Sequence, residues 1–260
     1  MSTTDAFTTV AGELKSAYGT RTPIEPPRKT IPGLDVAGAY RIQRVQEEAF
    51  IAEGHKVTGR KIGLTSLAMQ QQLGVDSPDF GFFLDTMMYP AGASIPVDTF
   101  ISPKVEPELG FQLGADLHPG ASIDDVAAAV KHTFLAVEII DSRVRDWDIT
   151  LVDTIADNAS CGAIILSTDP VAINPNDLPS VTASMSLNNQ EVGKGTGAAV
   201  MGHPLAPIAW LATILGEQGV SLQKGDIILS GSFCAAAPVI AGQSLSVDYG
   251  ELGSLSVSFV

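Results

Sequence analysis

From Val57 onward, the chain consists of short apolar segments, rich in β-forming residues, that are separated by glycine and proline. Such segments predict strands, and a few longer stretches with helical periodicity interrupt them. Because the spacing is too irregular for regular βαβ units, we expect a mixed, largely β core in an α+β fold. The predicted strands are 57–64, 111–113 with the residues just before it, 134–140, 163–167, 182–187, 227–230, 244–249 and 255–260, and the predicted helices are 66–73, 123–131 and 207–218.

Residues 1–56 differ from the rest because they are predicted to be helical. Asp35 is a plausible N-cap for a helix that Gly54 ends, with apolar residues on one face. The stretch 20–33 before this helix contains four prolines and is expected to be a loop. A region of this size has too small a core to fold alone. We therefore expect residues 1–56 to pack against a single structural unit formed by residues 57–260.

The charge balance excludes several classes of function. With 15 basic and 29 acidic residues the net charge is −14, which disfavours binding to nucleic acid or to an anionic membrane. No apolar run is long enough to span a bilayer, and the N-terminal residues lack the pattern of a signal peptide. The two cysteines have no metal-type spacing. We therefore expect a reduced, cytoplasmic protein.

Two carboxylates with a spacing of two residues are the first candidate site. Glu106 and Glu108 lie in an extended segment, where a period of two places both side chains on one face. Like charges this close destabilise each other unless a cation lies between them or one is protonated. The alternative is a solvated edge strand, which Pro107 favours.

A third carboxylate lies inside the apolar run 134–140. This run predicts a strand that is buried on both faces, and a buried carboxylate without a partner is costly, so Glu138 needs one. The partner is either a basic side chain or a divalent metal that Glu138 shares with Glu106 and Glu108. Three carboxylates without histidine or cysteine favour a hard ion, Mg²⁺ or Mn²⁺.

Lys61 lies between Gly59 and Gly63 in a predicted strand, with its neighbours Arg60 and Ile62 on the other face. A lysine that faces a carboxylate cluster can act in acid–base catalysis or as an electrostatic group. It can also be a counter-ion to the same glutamates, and the two roles are compatible. The polar segment 153–162 either lines a pocket or supplies turn and capping groups.

In combination and in this order, these segments resemble the 2-keto-4-pentenoate hydratase and 4-oxalocrotonate decarboxylase family of the fumarylacetoacetate hydrolase superfamily. The resemblance covers nearly everything after residue 40. The matching segments are GRKIGLTS (59–66), QQLGVDSPDFG (71–81), PKVEPELGF (103–111), AVEIIDSRVRDW (136–147), DTIADNASCG (153–162), GHPL (202–205), GDIILSGS (225–232) and GELGSLSVSFV (250–260).

The resemblance implies a fold and a set of site residues. The expected fold is a mixed β-roll core of the fumarylacetoacetate hydrolase C-terminal type with an N-terminal helical region, assembled as a homo-oligomer. The implied ligands for Mg²⁺ or Mn²⁺ are Glu106, Glu108 and Glu138, the implied catalytic residues are Lys61 and Asp79, and the implied substrate-binding residues are Ser160, Leu64 and Arg143.

The implied activity is that of a hydro-lyase in the meta-cleavage catabolism of aromatic compounds. It would add water to a 2-hydroxy-2,4-dienoate, either 2-hydroxypenta-2,4-dienoate or a longer dicarboxylic analogue, and give a 4-hydroxy-2-oxo acid. A distal carboxylate would need a cation, for which Arg60, Arg143 and Arg145 are the candidates. The alternatives are a 4-oxalocrotonate-type decarboxylase and, in another class, a non-catalytic subunit that binds metal or oxo acid beside a pathway neighbour.

Overall fold

The computed structural model describes residues 3–66, 70, 75 and 77–260. Three helices precede the first strand: α1 (Thr3–Thr20), α2 (Pro27–Thr30) and α3 (Val36–Ala52). Asp35 caps α3 as predicted, since its side chain accepts a 2.8 Å hydrogen bond from the backbone N–H of Gly38. The expectation of a loop over 20–33 is wrong in one part, because α2 forms one turn there. Pro27 is its first residue, where the missing N–H of proline costs no helical hydrogen bond.

The described residues form two sheets. In the first, the strand order is β2-β1-β10-β5-β6-β7-β3, with β11 paired to β5; in the second it is β4-β13-β12-β8-β9. In chain order the strands are β1 (Val57–Gly63), β2 (Asp79–Leu84), β3 (Met88–Pro90), β4 (Ser94–Ile95), β5 (Lys104–Leu113), β6 (Val130–Ile140), β7 (Cys161–Leu166), β8 (Thr182–Leu187), β9 (Gln190–Thr196), β10 (Ile227–Leu229), β11 (Ala237–Pro238), β12 (Ser244–Asp248) and β13 (Ser254–Phe259).

The two sheets share one hydrophobic core. Buried side chains of β5 and β6, such as Leu109 and Val137, belong to the same cluster as Val247 of β12 and Val257 of β13. Three further helices are described: α4 (Ile123–Ala129), α5 (Leu151–Ala156) and α6 (Ala206–Glu217). A second cluster joins α1 and α3 to α5, so the buried side chains of the N-terminal region pack against residues of the β-rich part.

These elements confirm the expected mixed α/β fold with a largely β core. All of the predicted strands are present within a few residues of their predicted bounds, but five strands were not predicted: β3, β4, β9, β11 and the fully buried β2. All six of its residues are buried, so it lacks the alternation that marks a strand with one exposed face. The predicted helix 66–73 lies mostly outside the described residues. In the described part of the chain, no helix has both the length and the apolar character that crossing a membrane requires.

Candidate active site

Three carboxylates converge on the central strands β5 and β6. Glu106 lies directly opposite Glu138 in the antiparallel register, and Glu108 lies two residues further along the same face of β5. One oxygen from each of the three carboxylates lies within 4.8 Å of the others. Glu108 and Glu138 are buried and Glu106 is partly buried. The predicted juxtaposition of the three side chains is therefore present.

Pro107 lies between Glu106 and Glu108 in a central strand, so the alternative of an edge strand is wrong. Proline is tolerated here because its nitrogen lies on the side of β5 where the ladder of hydrogen bonds is interrupted. Its carbonyl accepts a hydrogen bond from the N–H of Phe233, in the segment between β10 and β11, so the missing proline N–H faces a gap in the ladder. The pairing between β5 and β6 therefore continues through Pro107.

Several oxygens of this carboxylate trio have no hydrogen-bond donor. Glu108 Oε2 accepts a 2.8 Å bond from the N–H of Gly231, whereas Glu108 Oε1 and Glu138 Oε2 have no partner among the described residues, and Glu138 Oε1 has only the ion pair with Lys61. Burial and the neighbouring carboxylates raise the pKa of Glu106 to about 7, and they raise the pKa of Glu108 as well. A cluster of mutually repelling carboxylates that offers only oxygen atoms, two of them without any partner, suits a hard divalent cation.

Lys61 is the basic partner of this trio. Its Nζ lies 3.1 Å from Glu138 Oε1, and both side chains are almost completely buried. Burial alone would lower the pKa of Lys61, but the charges of Glu138, Asp79 and Glu106 outweigh it and raise the pKa above its ordinary value. Lys61 is therefore the predicted counter-ion and is also placed to act on a bound molecule. Arg60, on the opposite face, pairs instead with Glu47 of α3.

Asp79 begins β2 directly opposite Gly63 of β1. A Cβ at Gly63 would overlap Asp79 Oδ1, so this glycine allows the carboxyl to lie across β1 on the side of Lys61. Asp79 Oδ2 accepts a 3.3 Å hydrogen bond from the hydroxyl of Thr154. Burial raises the pKa of Asp79, although Lys61 and Thr154 lower it in part. The result is a buried carboxyl beside the trio that holds a proton more readily than usual.

Ser160 follows α5 at the end of a left-handed turn. Asn158, Ala159 and Ser160 have φ angles of 55°, 49° and 53°. Such a run of non-glycine residues is unfavourable, and it persists only where the surroundings hold it. The Asn158 side chain does so, because it accepts from the N–H of Phe82 and donates to its carbonyl, both at 2.8 Å. Ser160 Oγ then lies 3.5 Å from Thr154 Oγ1.

The remaining predicted substrate-binding residues are placed differently. Leu64 has a left-handed φ of 55°, and its carbonyl accepts a 2.8 Å bond from the side chain of Gln70. Arg143 is fully buried, with its Nε 2.6 Å from Asp157 Oδ1 and its terminal nitrogens on the carbonyls of residues 141, 157 and 161. The structure does not bring this guanidinium into the group formed by the trio, Lys61 and Asp79.

Sequence reasoning did not single out two residues that contact this group and one that lies near it on the same face of β5. Thr154 donates to Asp79, Gly231 donates to Glu108, and Lys104 lies two residues before Glu106 on the same face of β5. The period of two that identified the glutamates also extends back to Lys104. No comparable local signal marks the contacts of Thr154 and Gly231, which join segments far apart in the chain.

Comparisons with known proteins identify the family of this chain. The family described as Fumarylacetoacetate (FAA) hydrolase C-terminal matches residues 56–260. The 2-keto-4-pentenoate hydratase of Burkholderia vietnamiensis is 37% identical, and the alignment covers all of this chain and 99% of that protein. The 2-hydroxyhexa-2,4-dienoate hydratase of Comamonas testosteroni is 40% identical over 88% of each chain.

A solved structure is similar over the whole chain. It is the 4-oxalocrotonate decarboxylase of Pseudomonas putida G7 in complex with magnesium and adipate. The TM-score is 0.96 at 34% identity, and the comparison covers 100% of this chain and 99% of the other. A second structure of that decarboxylase contains calcium and acetate.

Proposed function

The chain belongs to the fumarylacetoacetate hydrolase C-terminal family, and we propose that it is a metal-dependent hydratase of 2-hydroxy-2,4-dienoates. Two hydratases of this substrate type, each at least 37% identical over most of both chains, support this choice. The single observation that carries the proposal is the buried trio of Glu106, Glu108 and Glu138 with Lys61 3.1 Å from Glu138. The product would be a 4-hydroxy-2-oxo acid, formed in the meta-cleavage catabolism of aromatic compounds.

The trio would hold Mg²⁺, with Mn²⁺ as the alternative, because its donors are carboxylate oxygens only and two of them have no other partner. The chemistry that a divalent cation supplies here is positive charge, which stabilises the enolate form of a 2-oxo acid. Gly231 supports this role by fixing Glu108 Oε2, so that Oε1 remains available as a ligand.

The proton transfers would fall to Lys61 and Asp79. Conversion of the dienol to the 3-enone moves the proton of the C2 hydroxyl to C5, and hydration then places a water oxygen on C4 and a proton on C3. Lys61 stays protonated at neutral pH, because its pKa is raised, and it would stabilise negative charge on the substrate. The raised pKa of Asp79 favours this carboxyl as the group that takes up and returns a proton.

Ser160 and Leu64 complete the proposed substrate site. The Ser160 hydroxyl would donate to the C1 carboxylate, and the left-handed turn that holds it supports that assignment. Leu64 follows Lys61 closely along the chain and would contact the carbon chain of the substrate. Arg143 is not part of this proposal, because protein oxygens already engage its N–H groups. We propose a homo-oligomer as the working assembly.

Decarboxylation is the second candidate, and the similarity to 4-oxalocrotonate decarboxylase favours it. A decarboxylase would use the same trio to stabilise an enolate while the substrate loses CO₂, so the ligands do not separate the two reactions. A non-catalytic partner subunit is less well supported. Such a subunit would be expected to lose part of the machinery, whereas the trio and Lys61 are all retained.

The test is to incubate the purified protein with 2-hydroxypenta-2,4-dienoate and Mg²⁺, with and without EDTA, and to identify the products by mass spectrometry. A gain of one water that EDTA prevents is the expected result. A dicarboxylic dienol is incubated in parallel. If it loses CO₂, and neither it nor 2-hydroxypenta-2,4-dienoate gains water, the protein is a decarboxylase instead. The absence of both reactions in protein that binds Mg²⁺ would contradict the proposed function.

A further inference from the structure

The three arginines that the sequence offers for a distal carboxylate are all engaged with acidic residues. Arg60 pairs with Glu47 at 2.6 Å, Arg143 with Asp157 at 2.6 Å and Arg145 with Glu25 at 2.8 Å. The residues outside the described part of the chain contain no lysine or arginine, so every basic side chain can be located. If the substrate carries a second carboxylate, a basic residue of this chain that has no acidic partner is the simplest source of its cation.

Lys104 is such a cation. It lies two residues before Glu106 on β5, so a period of two places it on the face that carries Glu106 and Glu108. It is half-buried, and no carboxylate oxygen of a described residue lies within 4 Å of its Nζ. Burial lowers the pKa of Lys104, whereas Glu106 raises it. The side chain is thus a partly dehydrated charge beside the trio that forms no ion pair.

The position of Lys104 is built by its neighbours. Its Nζ lies 4.0 Å from the centre of the Trp147 ring, a distance at which the face of an indole attracts a cation. The Trp147 Nε1–H in turn donates to the carbonyl of Ser102 at 3.2 Å. Asp146 and Trp147 both adopt left-handed φ angles, 56° and 55°, which is unfavourable for these residue types. The turn therefore bears a backbone cost in the conformation that sets the indole against Lys104.

We propose that Lys104 forms a second anion subsite, so that this site accepts 2-hydroxydienoates with a carboxylate at the distal end. At about 3.3 Å per residue, the backbone of Lys104 lies about 7 Å along the strand from that of Glu106. This separation is comparable with the length of an extended six-carbon chain, whose other end would lie at the trio. The proposal rests on the proposed function only in that a 2-oxo acid binds at the trio.

The experiment compares two ligands of equal carbon number, 2-oxoadipate and 2-oxohexanoate, which differ in the distal carboxylate. Their dissociation constants are measured by calorimetry at saturating Mg²⁺ in the wild type and in Lys104→Met, which keeps the length of the side chain. Lys131→Met is the matched control, because Lys131 is an exposed lysine on β6. Lys104→Arg tests whether the charge alone restores binding. If a substitution of Lys104 changes how Mg²⁺ is bound, it affects both ligands equally, so the ratio of the two dissociation constants is independent of that effect.

We expect the wild type to bind 2-oxoadipate about tenfold more tightly than 2-oxohexanoate, which corresponds to one charge-assisted hydrogen bond. Lys104→Met should reduce this ratio to near one, while Lys131→Met leaves it unchanged and Lys104→Arg retains most of it. An unchanged ratio in Lys104→Met would overturn the subsite and leave the hydratase proposal intact. A ratio that depends on Lys104 in a protein without hydratase activity would support the subsite and contradict the proposed function.

Discussion

Asp157 and the trio of Glu106, Glu108 and Glu138 differ in how many of their carboxylate oxygens have a hydrogen-bond donor or a positive partner. Asp157 accepts hydrogen bonds from the Arg143 Nε, from the Arg143 backbone N–H and from the Ser142 hydroxyl, so both of its oxygens have donors. In the trio, Glu138 Oε1 is paired with the Lys61 ammonium, but Glu108 Oε1 and Glu138 Oε2 have no partner among the described residues. Glu108 and Glu138 are as deeply buried as Asp157, so the number of satisfied oxygens separates Asp157, which stabilises the fold, from the acids of the proposed metal site.

The largest expected effect is the loss of turnover in Glu106→Gln. The amide keeps the shape of the side chain but removes one negative ligand, so metal-dependent activity should fall by a factor of about 10³ or more. The free energy of unfolding of the metal-free protein should stay the same or rise, because one of three repelling charges is removed. Steady-state kinetics and urea denaturation measure the two effects. Unchanged activity would contradict the metal assignment.

The opposite pattern is expected for Asp157→Asn. This substitution leaves the buried guanidinium of Arg143 without its counter-charge, which should lower the free energy of unfolding by about 3–5 kcal/mol. Asp148→Asn is the control, because Asp148 pairs with Arg28 and Lys29 at a site that is about half exposed, where solvent screens the charges and the loss of stability should be much smaller. If Asp157→Asn unfolds like the wild type in urea but loses Mg²⁺ binding, the distinction between the two groups is wrong.

The sequence predicts the trio but not the contact between Arg143 and Asp157, because only the trio is marked by a pattern among neighbouring residues. The trio follows from a period of two at Glu106 and Glu108 and from one carboxylate in an apolar run at Glu138. Asp79 came only with the resemblance to a family. The contact between Arg143 and Asp157 depends on the left-handed turn that follows α5, and no residue type near it predicts three consecutive left-handed residues. The same arginine could therefore be assigned to substrate from the sequence.

Strand β2 and the role of Asn158 were not predicted for a similar reason. Strand β2 is buried on both faces, and Gly81 within it is required because a Cβ there would overlap the Asn158 carbonyl of the turn. Its register against β1 is what brings Asp79 to Gly63. Contacts between segments about 75 residues apart are invisible to local periodicity, so the strand and the positioning role of Asn158 emerge only from the folded structure.

The effect of Mg²⁺ on the melting temperature should also distinguish the trio from Asp157, although this effect is smaller. A ligand that binds only the folded state stabilises it by about 2.7 kcal/mol at a concentration one hundred times its dissociation constant. We expect Mg²⁺ to raise the melting temperature of the wild type and of Asp157→Asn by similar amounts, and EDTA to reverse the increase. Glu106→Gln should lose most of this shift. An equal shift in all three proteins would mean that Mg²⁺ binds outside the trio.

The smallest expected effect is on the pH dependence of stability. The pKa of Glu106 is raised from its ordinary value of 4.5 to about 7, because burial and the charge of Glu138 disfavour its ionised form. The folded state of the metal-free protein therefore binds more protons than the unfolded state between these values, so its stability should fall as the pH rises from about 4.5 to 7. Burial also raises the pKa of Asp157 to about 6 and raises the pKa of Asp79, so both groups contribute between pH 6 and 7, and the comparison with Glu106→Gln isolates the contribution of the trio. Glu106→Gln should flatten the curve in that interval, and saturating Mg²⁺ should reverse its slope, because the metal competes with the protons that the carboxylates hold. A metal-free wild type whose stability does not fall between pH 6 and 7, measured by urea denaturation, would show that Glu106 is already ionised without a cation and would contradict the difference from Asp157.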